Sequence, residues 1–211
     1  MPVTSSPFIV FEGGDGAGKS TQIAALREWL AGGDQEVVVT REPGGTELGS
    51  ALRELLLHGG HVAPRAEAMI FAADRAHHVE SVIRPALERG AVVICDRYQD
   101  SSIAYQGAGR TLDAQEIAGL SHWATRGLVP DVTVLLDLDP GVGRSRRGPG
   151  GDRLEREAGE FHERVRAGFL ALADEHPQRY LVVDATLPAQ EVAALVRDRV
   201  APLVEPVVQR S

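Results

Sequence analysis

Gly13-Gly14-Asp15-Gly16-Ala17-Gly18-Lys19-Ser20-Thr21 decides the fold. From Gly13 to Ser20 the stretch fits the pattern G-x-x-x-x-G-K-[ST], a glycine-rich loop that wraps phosphate oxygens. The apolar run Phe8-Ile9-Val10-Phe11 precedes it, and Gln22 to Leu30 after it reads as a helix. Strand, glycine loop and helix form the context that the motif requires. The glycines let successive backbone N–H groups turn inward, and the positive end of the following helix points at the same spot. Lys19 supplies a compact cation for the outer phosphates, and the Ser20 hydroxyl can ligate Mg2+. Of the 22 basic residues, all but Lys19 are arginine. A chain that so favours the planar guanidinium keeps a flexible point charge at this one position.

The same alternation continues along the chain. Short Val- and Ile-rich runs at Phe8–Glu12, Glu36–Arg41, Ala91–Asp96, Val132–Asp137 and Tyr180–Asp184 read as strands buried on both faces of a parallel sheet. Helical patterns fall near 19–31, 47–58, 65–89, 113–126, 153–175 and 188–201. The expectation is an α/β chain of the P-loop NTPase fold, a five-stranded parallel sheet with helices on both faces. Its 211 residues suit a single domain from 1 to 211, and its 43% hydrophobic content supplies a core. The lone Cys95 precludes an internal disulfide and fits a reducing, cytoplasmic setting. A net charge of −8 argues against a general nucleic-acid binder, and no apolar run is long enough to predict a membrane span. Anionic ligands must be met by local clusters of arginine.

In such folds ligands collect beyond the carboxyl ends of the strands. There the sequence offers the glycine loop, Arg41-Glu42-Pro43-Gly44-Gly45-Thr46, Asp96-Arg97-Tyr98, Asp139-Pro140 and Asp184-Ala185-Thr186. Asp96 stands where an acid can hold a Mg2+ shell, and Arg97 can bridge two phosphates. Phe71 and Arg75 share a helix face, as do Ser102, Tyr105 and Gln106. A ring beside a guanidinium suits a nucleobase, although alone the pair reads as a core residue and a solvated charge. Arg144, Arg146, Arg147 and Arg153 flank Gly148-Pro149-Gly150-Gly151, and segment 144–153 reads as a mobile lid. Standing alone it would be an exposed basic turn.

With these residues in place the chain resembles the thymidylate kinases, from Phe8 to about Leu203. Beyond the loop, the resemblance is carried by Arg41-Glu42-Pro43-Gly44-Gly45-Thr46, by Phe71-x-x-x-Arg75, and by Asp96-Arg97-Tyr98 followed by Ser102-x-x-Tyr105-Gln106-Gly107. It implies phosphoryl transfer from MgATP to dTMP, giving dTDP and ADP in dTTP synthesis. Phe71 would stack on thymine, Arg75 would bond its carbonyl edge, and Ser102 and Gln106 would meet its far side. Tyr105 would pack under the deoxyribose and Asp15 would face the 3′-hydroxyl. Arg41, Arg53 and Arg97 would hold the acceptor phosphate, beside Pro43. Gly13 to Thr21, Arg144 and Ala185 would bind ATP, with Ser20 and Asp96 on the metal. Lys19, Asp96, Arg97 and either Arg147 or Arg153 would be catalytic. Gly16 stands at the loop position that is basic in some members, so the chain is similar to the bacterial type with lid arginines. Family members are homodimers, and the helix around 65–84 would be the interface. The rival enzyme is another pyrimidine nucleotide or deoxynucleoside kinase. A nucleoside kinase would need a base for a neutral hydroxyl, whereas Arg41, Arg53 and Arg97 suit an acceptor phosphate. A slow ATPase binding module would share the loop. A guanine-specific GTPase would need an Asn-Lys-x-Asp element, for which a second lysine does not exist.

Overall fold

A computed structural model describes residues 6–33, 35–147 and 150–204. The Gly148-Pro149 hinge of the expected lid and the tail from Glu205 to Ser211 lie outside the described residues. Five strands, β1 (Phe8–Glu12), β2 (Val37–Arg41), β3 (Val92–Asp96), β4 (Val132–Asp137) and β5 (Tyr180–Asp184), form one sheet. Their order is β2-β3-β1-β4-β5, and every pairing is parallel. The central strand β1 pairs Phe8 with Val93 on one side and Ile9 with Val132 on the other.

Successive strand residues face opposite sides of the sheet. Ile9 and Phe11 therefore join Val92, Ile94, Val134 and Leu136 in a cluster closed by helices α1 (Lys19–Leu30) and α9 (Ala189–Val204). Phe8 and Val10 join Val93, Cys95, Val79 and Ile83 on the other face. A third cluster joins Phe71, Leu135, Tyr105, Phe161 and Phe169. The two-sided burial expected of all five strands holds for β1, β3 and β4 alone. The outer strands β2 and β5 leave Val39 and Val182 42% and 47% exposed, because an edge strand has a neighbour on one side only.

The remaining helices are α2 (Glu47–Arg53), α3 (Pro64–His78), α4 (Arg84–Glu88), α5 (Gln99–Ser102), α6 (Ala114–Thr125), α7 (Pro140–Arg147) and α8 (Gly159–Glu175). The run expected as one helix over 65–89 is interrupted by a π-type turn at Val79–Ile83, just before Pro85, which has no N–H to continue an α ladder. The helix expected over 47–58 likewise ends in a π-type turn, Glu54–His58. A third such turn, Ile103–Gly109, extends α5. The helix expected from 153 begins at Gly159, since the Asp152 carboxylate takes the N–H groups of Leu154 and Glu155 into a separate turn. Part of the expected lid loop is helix α7, which starts at Pro140 after Asp139 accepts from the N–H groups of Gly141 and Val142. Among the described residues no helix is long and apolar enough to cross a membrane.

Phe169 of α8 is 1% exposed and meets Tyr105 edge-on at 6.2 Å. Replacing it with Ala should cost about 3–5 kcal/mol of unfolding free energy. Denaturant titration checks this, and a loss below about 1 kcal/mol would contradict the packing.

Candidate active site

The carboxyl ends of β1, β2 and β3 open into one cavity of about 500 Å³. Helix α1 begins at its floor. Gly18 precedes that helix at φ +93, and no side chain caps the first turn. The first-turn N–H groups are thus left to an external acceptor, as an anion site requires. Gly13 and Gly16 also take positive φ, 131° and 83°. A Cβ on Gly13 would overlap the Leu136 carbonyl, and one on Gly16 would overlap the Gly143 carbonyl of α7. The loop is therefore seated directly against β4 and α7, where only glycine fits.

Lys19 is 7% exposed, and its ammonium donates to the carbonyls of Gly13 at 3.0 Å and Gly14 at 3.1 Å. Burial and the neighbouring Arg97 push its pKa down, against the pull of Asp15, Asp96 and Glu12. Arg97, directly after β3, stands at φ +68, a left-handed backbone uncommon for an arginine. That turn sends its guanidinium back across the loop. It donates to Asp15 at 2.5 Å, to the Gly13 carbonyl at 3.1 Å and to the Ser101 hydroxyl at 3.2 Å, and lies 5.1 Å from the centre of the Tyr105 ring. Burial alone would raise the Asp15 pKa, but Arg97, Lys19 and Arg147 outweigh it, and Asp15 is held well below the usual carboxylate range. The Tyr105 hydroxyl donates to the other Asp15 oxygen at 3.2 Å.

The far end of the cavity is built on α3. Glu67, Phe71, Arg75 and His78 follow one buried stripe of that helix. Phe71 and Arg75 both border the cavity. Arg75 is 2% exposed and donates to Glu42 at 2.7 Å, Ser102 at 3.1 Å, Ser121 at 3.4 Å and the Tyr98 carbonyl at 2.9 Å. Four of its five N–H groups are thereby engaged, leaving one. Gln106 donates to Glu67 at 2.9 Å.

Of the residues singled out in the sequence, Asp15, Gly16, Gly18, Lys19, Ser20, Thr21, Arg41, Pro43, Arg53, Phe71, Arg75, Asp96, Arg97, Ser102, Tyr105, Gln106 and Arg147 all line this cavity. Gly13 and Gly14 border a smaller hollow beside it, and Ala17 is buried behind the loop. Three expected residues stand elsewhere. Arg153 donates to the Leu56 carbonyl at 2.8 Å and to Glu67 at 2.5 Å, away from the cavity. Arg144 is exposed on α7. Ala185 is buried, and its carbonyl accepts from Arg146 at 3.0 Å. Arg146, on the opposite side of α7 from Arg144, reaches the cavity instead.

The carboxylates beneath the site carried no role in the sequence reading. Glu42 holds both Arg75 and His78, the latter at 2.9 Å, and Glu12 accepts from the N–H groups of Tyr98 at 2.8 Å and Ser101 at 3.1 Å. One signal was present for Glu67: a charged residue on the buried stripe of an amphipathic helix needs a partner. Asp96 carries a buried oxygen, Oδ1, with no partner, and it lines the cavity with Ser20. Among the described residues no cluster of three His, Cys, Asp or Glu could hold a metal. One carboxylate and one hydroxyl beside a phosphate cradle is nonetheless a donor set that suits Mg2+, which keeps most of its waters and takes oxygens from substrate phosphates.

A glycine loop ahead of an uncapped helix, a buried lysine on that loop, arginines facing it and an aromatic–guanidinium pair across the cavity define a P-loop nucleotide kinase. The family model described as thymidylate kinase matches residues 11–196. The thymidylate kinase of Clavibacter michiganensis is 62% identical over 201 residues, covering 93% of this chain and 95% of that protein. That of Leifsonia xyli is 62% identical over 196 residues, covering 91% and 93%. The crystal structure of thymidylate kinase from Ehrlichia chaffeensis superposes with a TM-score of 0.79 at 35% identity, covering 93% of this chain and 99% of that one. The chain belongs to the thymidylate kinase family, whose reaction is phosphoryl transfer from ATP to dTMP.

Burial raises the Glu12 pKa from 4.5 to about 7, and burial with Glu42 nearby raises that of Asp74 from 3.8 to about 6. Both folded values lie above the unfolded ones. Their stabilising contribution is therefore complete below the unfolded values and is lost as pH rises towards about 7, on the order of 3 kcal/mol for Glu12. Chemical denaturation at about pH 5 and about pH 7.5 should show a smaller loss in Glu12→Gln than in the wild type; an equal loss contradicts the assignment.

Proposed function

We propose that this enzyme transfers the γ-phosphoryl group of ATP to the phosphate of dTMP within the cavity, giving ADP and dTDP. One observation carries the reading: Lys19, Arg97, Phe71 and Arg75 border a single cavity, with the glycine loop at one end and the aromatic–guanidinium pair at the other. Gly13 to Thr21 bind the phosphates of ATP. Phe71 stacks on thymine, and the remaining N–H of Arg75 meets its carbonyl edge, as does the pair of Ser102 and Gln106 from the other side. Arg41, Arg53 and Arg97 hold the acceptor phosphate beside Pro43. Asp15 and Tyr105 face the deoxyribose.

The acceptor phosphate is already an anion, so no general base is needed. The residues have two tasks, which are to align the two phosphates and to stabilise the charge that spreads during transfer. Lys19 stabilises the outer phosphates of the donor. Arg97 stands between loop and acceptor and bridges both. Arg147 borders the cavity and has a buried Nε without a partner, so it is the lid arginine that meets the transferred group. Ser20 and Asp96 would hold Mg2+, which when bound would neutralise phosphate charge.

The chain acts as one kinase domain with segment 144–153 as its lid. The enzyme is a cytoplasmic homodimer, a reading supported by the one free cysteine and by exposed Met69 and Trp123, 58% and 77% accessible on α3 and α6. ATP consumption followed as ADP release with dTMP, dUMP, thymidine or no acceptor tests the function. Release should depend on dTMP. Equal turnover of thymidine would point to a nucleoside kinase, and acceptor-independent release to a simple ATPase.

Lys19→Ala should lower kcat by about 10²–10³-fold while the melting temperature changes little; near-normal turnover would overturn its role. Arg147→Ala should lower kcat more than it raises KM. Arg153→Ala should do the reverse, raising KM for dTMP through Glu67. Steady-state kinetics on both variants separate the two.

A further inference from the structure

Gln106 lines the base end of the cavity, and a carboxamide can face a ligand with either of two opposite chemistries. Turned one way it presents an acceptor oxygen, and turned the other a pair of donors. Its neighbour decides which. The Glu67 side chain is fully buried, and Glu67 Oε1 receives the Gln106 amide at 2.9 Å. Two guanidinium groups hold the same carboxylate. Arg110 donates to it at 3.2 Å and 3.3 Å, and Arg153 at 2.5 Å. These arginines and Gln106 keep Glu67 ionised despite its burial, lowering its pKa. An ionised carboxylate can only accept hydrogen bonds, so the Gln106 atom facing it must be Nε2. Oε1 is left as the atom for the cavity, and no hydrogen bond among the described residues reaches it.

We propose that Glu67 is a positioning residue for base selection: by fixing the Gln106 carboxamide it presents Oε1 to the bound base and favours rings that carry N3–H over rings whose N3 is an acceptor. Thymine and uracil have that N–H; cytosine has a lone pair there and would face Oε1 acceptor to acceptor. Such a mismatch leaves buried polar groups unpaired, which is the kind of contact that gives the strongest discrimination. The inference rests on the reading that dTMP binds with its base between Phe71 and Gln106.

The test measures kcat and KM with dTMP, dUMP and dCMP for the wild type, Glu67→Gln, Glu67→Asp, Gln106→Ala and the Glu67→Gln/Gln106→Ala pair. A glutamine at 67 can donate as well as accept, so it no longer dictates the Gln106 orientation. The ratio of kcat/KM for dTMP to that for dCMP should fall at least about tenfold in Glu67→Gln, chiefly through KM for dTMP. Glu67→Asp, which keeps the carboxylate, should retain more of the ratio than Glu67→Gln. In the Gln106→Ala background, Glu67→Gln should change the ratio no further. A parallel drop for dTMP and dCMP, with the ratio unchanged, would reduce Glu67 to a structural role and overturn the proposal. Should Glu67→Gln not fold, binding of 3-deaza-dTMP to the wild type replaces it. That analogue carries carbon in place of N3–H and should bind at least about tenfold more weakly than dTMP; equal binding overturns the proposal. A wild type that releases no ADP with dTMP defeats the proposed function itself. A dTMP-selective wild type whose selectivity survives in Glu67→Gln defeats this inference alone.

Discussion

Arg97 meets Asp15 at 2.5 Å across the mouth of the glycine loop, and the site is organised by that pair. Buried cations are costly unless paired, and removing one partner of such a pair commonly costs about 3–5 kcal/mol. The cavity nonetheless has to gather several cations, because two phosphate-bearing substrates must meet there. The solution repeats at three points of its wall, where a large cation is held by a carboxylate: Asp15 for Arg97, Glu42 for Arg75 and Glu155 for Arg147. These three guanidinium groups are thus fixed in direction before any substrate arrives, which is what preorganised charge stabilisation requires.

Sheet order explains why these groups converge. Strand β1 lies between β3 and β4, and the chain passes from one side of β1 to the other between them. A crevice opens at the carboxyl end of such a reversal. The glycine loop, Arg97 and the neighbouring Asp96 all leave their strands into that crevice, and α3 closes its far end.

Helix α7 changes the picture of the lid. A Cβ on Gly16 would overlap the Gly143 carbonyl, and one on Gly143 would overlap the Asp15 carbonyl. The loop and the first part of the arginine segment are therefore in direct backbone contact. This gives the absence of a basic side chain at position 16 a steric reason as well as an electrostatic one. Of the arginines on this segment, Arg146 and Arg147 border the cavity and Arg144 does not; Arg146 stands on the opposite side of α7 from Arg144.

The strand–loop–helix pattern, the five strands and the residues at their carboxyl ends were readable from the chain alone, because hydrophobic period and glycine placement are local properties. So were Phe71 with Arg75 and Ser102 with Gln106, since helical spacing puts each pair on one face. The exposure of β2 and β5 was not readable, because an edge strand and a central strand can carry the same residues. Nor was the fate of Arg153, eighty-six residues from the Glu67 that captures it. Glu12, Glu42 and Glu67 drew no role from sequence for the same reason. A carboxylate declares its partner only when the fold brings distant segments together, and charge pairing across such distances leaves no period or spacing to read.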